Sequence, residues 1–221
     1  LFAPLKSSLV LSEGTGSPIF TRATKAWGLN ELGILRDVPS GCAVLEGARL
    51  VKNTIRTTSE DFSNASAWNK TGSLTTPSAN SLVCANATSA QYIGQVAVSP
   101  PPTTIGQGFI YGVRVRSVSG GVPAIQLAPS SLGFGTGQFA NISLTDGSVS
   151  ATGCTAVSNL VAAGTYDFAI AVTATANHAT GEAFSIVLAD SKAATRLAAF
   201  TGDGIKSVDI LRAWSIEVTG Y

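Results

Sequence analysis

Apolar and polar residues alternate with a period of two along most of this chain from about residue 60. In "GFIYGVRVRSVSG", Phe109, Tyr111, Val113 and Val115 share one side, with Arg114 and Arg116 on the other. "GTYDFAIAVTATAN" repeats the pattern with Tyr166, Phe168, Ile170 and Val172, and "AFSIVLAD" with Phe184, Ile186 and Leu188. The closing segment aligns Val208, Ile210, Trp214, Ile216 and Val218 against Asp209, Ser215, Glu217 and Thr219. A period of two is what a strand with one buried face requires. On this pattern Trp214 belongs to a core face and packs rather than binds. Weaker strand signals lie in "QYIGQVAVS", "PAIQLAP" and "FANISLTDGSVSA". Turn-forming clusters ("SPPPTT", "SVSGGVP", "TDGS", "VAAGT", "TGDG") separate the runs. Many short strands without an amphipathic helix predict an all-β fold, an antiparallel β-sandwich of the jelly-roll kind, over residues 60–221. The last strand is expected in the middle of a sheet, held on both sides.

Residues 1–59 read differently. Pro4, Gly14, Gly16, Pro18, Gly28, Gly33, Pro39, Gly41 and Gly47 break this stretch into short apolar pieces. The pattern predicts an extended N-terminal arm with short strands and turns. Leu1, Phe2, Leu5, Leu9, Val10, Leu11, Ile19 and Phe20 are too many apolar residues for a segment with no core of its own. They are expected to anchor the chain by being buried against a neighbouring molecule, at about 1.5–3 kcal/mol for each large side chain.

Composition narrows the function classes. Charged residues make up 12% of the 221, about half the usual share, and the formal net charge is +1 with no basic cluster. Nucleic-acid binding through phosphate neutralisation is therefore not expected. No apolar run of about 20 residues exists to span a membrane, and "SSLVLSEG" is too short for a signal-peptide core. A weakly charged surface does little to hold copies apart, which favours life in an assembly. Cys42, Cys84 and Cys154 are widely spaced and there is one histidine, so no zinc spacing is present. Buried free thiols are expected, with room for one disulfide.

Four stretches together resemble a family of bacteriophage tail and virion structural proteins. They are "FTRATKAW…GILRDVPSG", "VLEGARLVKNTIRTTSEDFSNASAWNKTG", "IYGVRVRSVSGG" and "FTGDGIKSVDILRAWSIE". Their order agrees with the family, across roughly residues 18–221. The resemblance implies a sandwich similar to carbohydrate-binding modules, placed on the exterior of a phage particle. It also implies a homotrimer, with other virion proteins (major capsid or tail protein) as partners. The fibre, coiled-coil and hydrolase segments often attached to this family are missing, which favours a small subunit coating a head or tail.

Candidate chemistry is sparse. His178 sits in "TANHATGE", a loop composition, and no nucleophile motif, metalloprotease motif or phosphate loop occurs. "GFGTGQ" lacks the strand-to-helix setting of a phosphate cradle. No catalytic residue, metal site or cofactor is expected. Asp203, between two glycines, reads as a tight turn or, less simply, a calcium ligand. A glycan-binding module recognising host surface polysaccharide is the rival function, and a glycan-hydrolase fragment a more distant one. The glycan candidates are Trp68, Asn69 and Tyr92, although Trp68 also suits packing and Tyr92 alternates with apolar residues. Asn64, Asn69, Asn86 and Asn141 each begin an Asn-x-Ser/Thr triplet, as chance allows in so Asn- and Ser-rich a chain.

Overall fold

The computed structural model describes residues 60–95, 103–178 and 184–218, together with the backbone of four short strands before residue 51. The chain divides at Lys52 and Asn53 into two compact units. In the first unit, β1 (Ala26–Leu29) pairs antiparallel with β2 (Leu35–Val38), and β3 (Leu45–Glu46) with β4 (Arg49–Leu50). The anchor candidates Leu1, Phe2, Leu5, Leu9, Val10, Leu11, Ile19 and Phe20 lie outside the described residues, as does Cys42.

The second unit is an antiparallel β-sandwich. Its strands are β5 (Trp68–Thr71), β6 (Ser81–Val83), β7 (Thr88–Ser89), β8 (Tyr92–Gln95), β9 (Gly108–Ser117), β10 (Ala124–Pro129), β11 (Phe139–Ser143), β12 (Val149–Thr152), β13 (Thr155–Ala162), β14 (Thr165–Thr173), β15 (Phe184–Ala189), β16 (Phe200–Thr201) and β17 (Ser207–Val218). One sheet has six strands in the order β12-β11-β10-β15-β8-β5. The facing sheet has five, β13-β14-β9-β17-β6, and β16 pairs with β7 alongside. The chain crosses from sheet to sheet between β5 and β6, β6 and β8 (by way of β7), β8 and β9, β9 and β10, β12 and β13, β14 and β15, and β15 and β17 (by way of β16). The chain thus wraps repeatedly between the two sheets of the sandwich. As expected, β17 is held on both sides, by β9 along its length and by β6 at Ser207–Asp209.

Between the sheets lies one continuous core. The alternation in β9, β14 and β15 points Tyr111, Val113, Val115, Phe168, Ile170, Phe184, Ile186 and Leu188 into it. An aromatic chain crosses from sheet to sheet. Phe62 packs on Trp68 at 4.7 Å, Trp68 meets Phe184 edge-on at 6.2 Å, and Phe184 stacks on Tyr111 at 4.8 Å. Phe134, from the single helical turn Ser131–Phe134 (α1), meets Tyr111 and Phe109 edge-on. Such ring pairs add about 0.5–1.5 kcal/mol each beyond the area they bury. Burial also pushes the Tyr111 hydroxyl far above its ordinary pKa, because a phenolate there would lose its hydration.

The closing strand departs from the sequence reading. The pairing of β17 with β9 matches Ile210 to Val115 but Arg212 to Arg114, so Leu211 is an extra residue in a β-bulge. A bulge shifts the side-chain alternation by one from that point on. Val208 and Ile210 face the core before it, and Ala213 and Ser215 after it. Trp214 and Ile216, expected beside Ile210 on the core face, lie on the outer face instead.

Candidate functional site

The outer face of the five-stranded sheet is built around that displaced tryptophan. Trp214 pairs with Gly112, Gly112 with Ala169, and Ala169 with Val157, so these four form one outward row. The indole lies directly over Gly112. A methyl group placed there would sit 2.2 Å from Trp214 Cε2 and 2.5 Å from Nε1. Here glycine supplies space for the ring to lie against the backbone of β9. The neighbouring outward row is Thr155, Ala171, Ile110 and Ile216, also uncharged.

Next to these rows the face becomes ionic. Arg114 donates to Asp167 through Nε at 2.7 Å and through Nη2 at 2.8 Å, a bidentate pair directly across the β9–β14 ladder. The Asp167 side chain is only 5% exposed, while that of Arg114 is 31% exposed. Arg116 donates through Nη2 to Asp209 at 2.7 Å across the β9–β17 ladder, with an arginine side chain 53% exposed. Arg212 stands opposite Arg114, and its Nε approaches Glu60 Oε1 at 4.0 Å. Opposite charges directly facing across strands add to sheet stability.

The opposite outer face, on the six-stranded sheet, contains buried amides. Gln126 and Asn141 point away from the core yet are 1% and 2% exposed. Residues 190–199 return over them. Gln126 Nε2 donates to Asn141 Oδ1 and to the Thr195 carbonyl, and Gln126 Oε1 accepts from the Leu197 amide. Asn141 Nδ2 donates to the carbonyls of Lys192 and Ala194. Arg196 Nη2 donates to the Pro129 carbonyl, and partial burial lowers the Arg196 pKa. These bonds hold Leu197 at φ +51°, unusual for a branched residue. The Asn-x-Ser triplet at Asn141 is thus part of the fold's interior.

The glycan candidates do not converge. Trp68 is fully buried against Phe62 and Phe184, so its ring face offers no platform. The pleat of β5 and β8 turns Trp68 inward but Asn69 and Tyr92 outward. Asn69 is exposed and Tyr92 partly exposed on that outer face, whereas the sequence grouped Tyr92 with the core. Asp203 closes its own turn. Its Oδ1 accepts from the amides of Ile205 and Lys206, both at 2.8 Å, and these bonds lower its pKa. Among the described residues no group of three His, Cys, Asp or Glu side chains could hold a metal ion. His178 is tied by its backbone to Thr103, and Cys84 and Cys154 are free thiols. Trp214 is the residue the sequence reading missed as an outward aromatic. Its signal was Gly112, an otherwise unexplained glycine in the strongest strand of the chain. No protein-family model matches this sequence, and a search of the curated proteins finds no relative.

Proposed function

We propose that this chain is a non-enzymatic structural protein of a bacteriophage virion. It would be an external, oligomeric subunit, a capsid decoration or a short head or tail fibre, anchored by its N-terminal residues. The observation that carries the reading is the structural work done by the segments that resemble phage proteins. In "SEDFSNASAWNKTG", Asp61 Oδ1 accepts from the Ser63 amide and hydroxyl, and the Asn64 carbonyl accepts from the amides of Ala67 and Trp68. Those turns deliver Phe62 and Trp68 to the core. In "FTGDG", Phe200 is fully buried and Gly202 lies so close to the Ala85 carbonyl that a side chain would collide with it. The segments that carry the resemblance are thus scaffold, which supports reading it as the resemblance of a module rather than of a site.

Five of the eight described carboxylates support the non-enzymatic half of the reading. Asp61, Asp146 and Asp203 close their own turns, while Asp167 and Asp209 pair with arginines. A glycosidase would need two carboxyl groups free to face a sugar. One observation favours the rival reading, a glycan-binding module: the partly exposed indole of Trp214 lies over Gly112 on the outside of a sheet, where a sugar could meet it.

A single experiment separates the two. Protein lacking residues 1–20, and full-length Trp214→Ala, would be tested for incorporation into phage particles and for binding to host polysaccharide. The truncated protein should lose its place on the particle, and Trp214→Ala should keep it. Full occupancy by the truncated protein would end the anchoring idea, and saturable sugar binding lost with Trp214→Ala would move the function to recognition.

A further inference from the structure

The four sheet edges of the sandwich are unequally protected. At one end of the five-stranded sheet, β6 is three residues long, and Val83 is already tied to Thr75 by two backbone hydrogen bonds of 2.9 Å. At one end of the six-stranded sheet, β5 is four residues long and carries Lys70. Shortness and an edge lysine are the usual devices against unwanted strand pairing. The other two edges are β12 and β13, consecutive in the chain, which therefore lie on the same side of the sandwich. There β13 runs for eight residues and, among the described residues, pairs only with β14. It carries no Lys, Arg, Asp, Glu or Pro, and no charged residue occurs between Asp146 and Asp167.

This edge also leaves large apolar side chains exposed. Val157, Leu160 and Val161 are 41%, 61% and 42% exposed, three of the six large hydrophobic residues exposed among those described. Alternate residues of an edge strand turn their backbone N–H and C=O groups outward, so the surface recognises another extended strand. We propose that the occupant is β13 of a second copy of this chain, joined antiparallel about a two-fold axis within Thr155–Leu160. Charge favours this partner over a charged one. The uncharged row offers nothing for a charged partner to complement, whereas set against itself it opposes no like charges and strips none of water. Two copies with a net charge of +1 also repel each other weakly. The contact is isologous and closes at two, and the bulge beyond Leu160 bends the strand away and limits pairing to the flat part. The two five-stranded sheets then continue into one another.

This inference stands apart from the virion reading, and a two-fold pair differs from the threefold ring the family resemblance implies. Sedimentation of the whole chain over a wide concentration range tests it, beside Val157→Lys/Leu160→Lys and, as a control, Ile205→Lys at a site 80% exposed elsewhere. We expect a monomer–dimer equilibrium whose dissociation constant rises about a hundredfold or more in the double variant, where lysines meet across the axis, and stays unchanged in Ile205→Lys. If the double variant fails to fold, amide exchange in the wild type decides, because Thr155–Leu160 should gain protection as concentration rises. A wild type that stays monomeric, or an oligomer indifferent to these lysines with unprotected β13 amides, overturns the proposal.

Discussion

On the outer face of the six-stranded sheet the central polar side chains are amides, sealed beneath residues 190–199. On the outer face of the five-stranded sheet they are arginines and aspartates, paired with one another across the ladders. The difference follows from what each group costs to bury. An amide is neutral and can be buried if every donor and acceptor finds a partner, which Gln126 and Asn141 achieve with each other and with the overlying backbone. A guanidinium taken fully out of water costs several kcal/mol more, so Arg114 and Arg116 keep part of their surface exposed. One face is held by the chain's own return, the other by cross-strand charge and by a tryptophan laid over a glycine.

The largest effect is expected where the amides are sealed. Gln126→Ala would leave Asn141 Oδ1, the Thr195 carbonyl and the Leu197 amide without these partners in a place with little water. At about 1–3 kcal/mol for each unsatisfied buried group, with some relaxation, we expect a loss of about 3 kcal/mol in urea unfolding. The Leu197 amide should also exchange faster. A loss near zero would mean that residues 190–199 rest on the sheet without being held by it.

On the ionic face, Arg114→Met and Arg116→Met form a matched pair. The first leaves Asp167, nearly enclosed, without its bidentate partner, and should cost about 2 kcal/mol. The second removes a far more exposed partner of Asp209, and should cost less than about 1 kcal/mol. Equal losses from both would show that enclosure of the carboxylate does not set the strength of these ladders.

The two faces also mark what could be read from the sequence. Where a strand has one apolar side and runs straight, as in β9, β14 and β15, the alternation named the core residues correctly. It failed to place β13, because the inward positions of this edge strand, Ala156 and Ser158, are small and only half-buried, so the sequence Thr155, Ala156, Val157, Ser158 shows no apolar period. It placed Arg114 and Arg116 outward but could not name Asp167 and Asp209 as partners, since cross-strand register is not local information. Gln126 sits in "PAIQLAP" as any outward polar residue would, and nothing nearby announces that a segment some 70 residues later will cover it. The glycan trio failed for a related reason. Trp68 and Asn69 are adjacent in the chain, and adjacent residues of a strand point in opposite directions.

The subtlest effect, read in fluorescence more than in stability, tests the place where a bulge made alternation mislead. Had β17 run without a bulge, Trp214 would lie in the core, and a side chain added at Gly112 on the other face would never meet it. With Leu211 inserted, the added methyl must displace the indole. Gly112→Ala should therefore cost only about 1 kcal/mol, because the ring can swing outward rather than strain a packed interior. It should nevertheless shift the tryptophan fluorescence toward that of a hydrated indole. The same substitution in a Trp27→Phe/Trp214→Phe background should leave the emission of Trp68 unchanged, since that ring is enclosed in the core. An emission shift that persists without Trp214 would place the disturbance inside the sandwich and remove the bulge as its explanation.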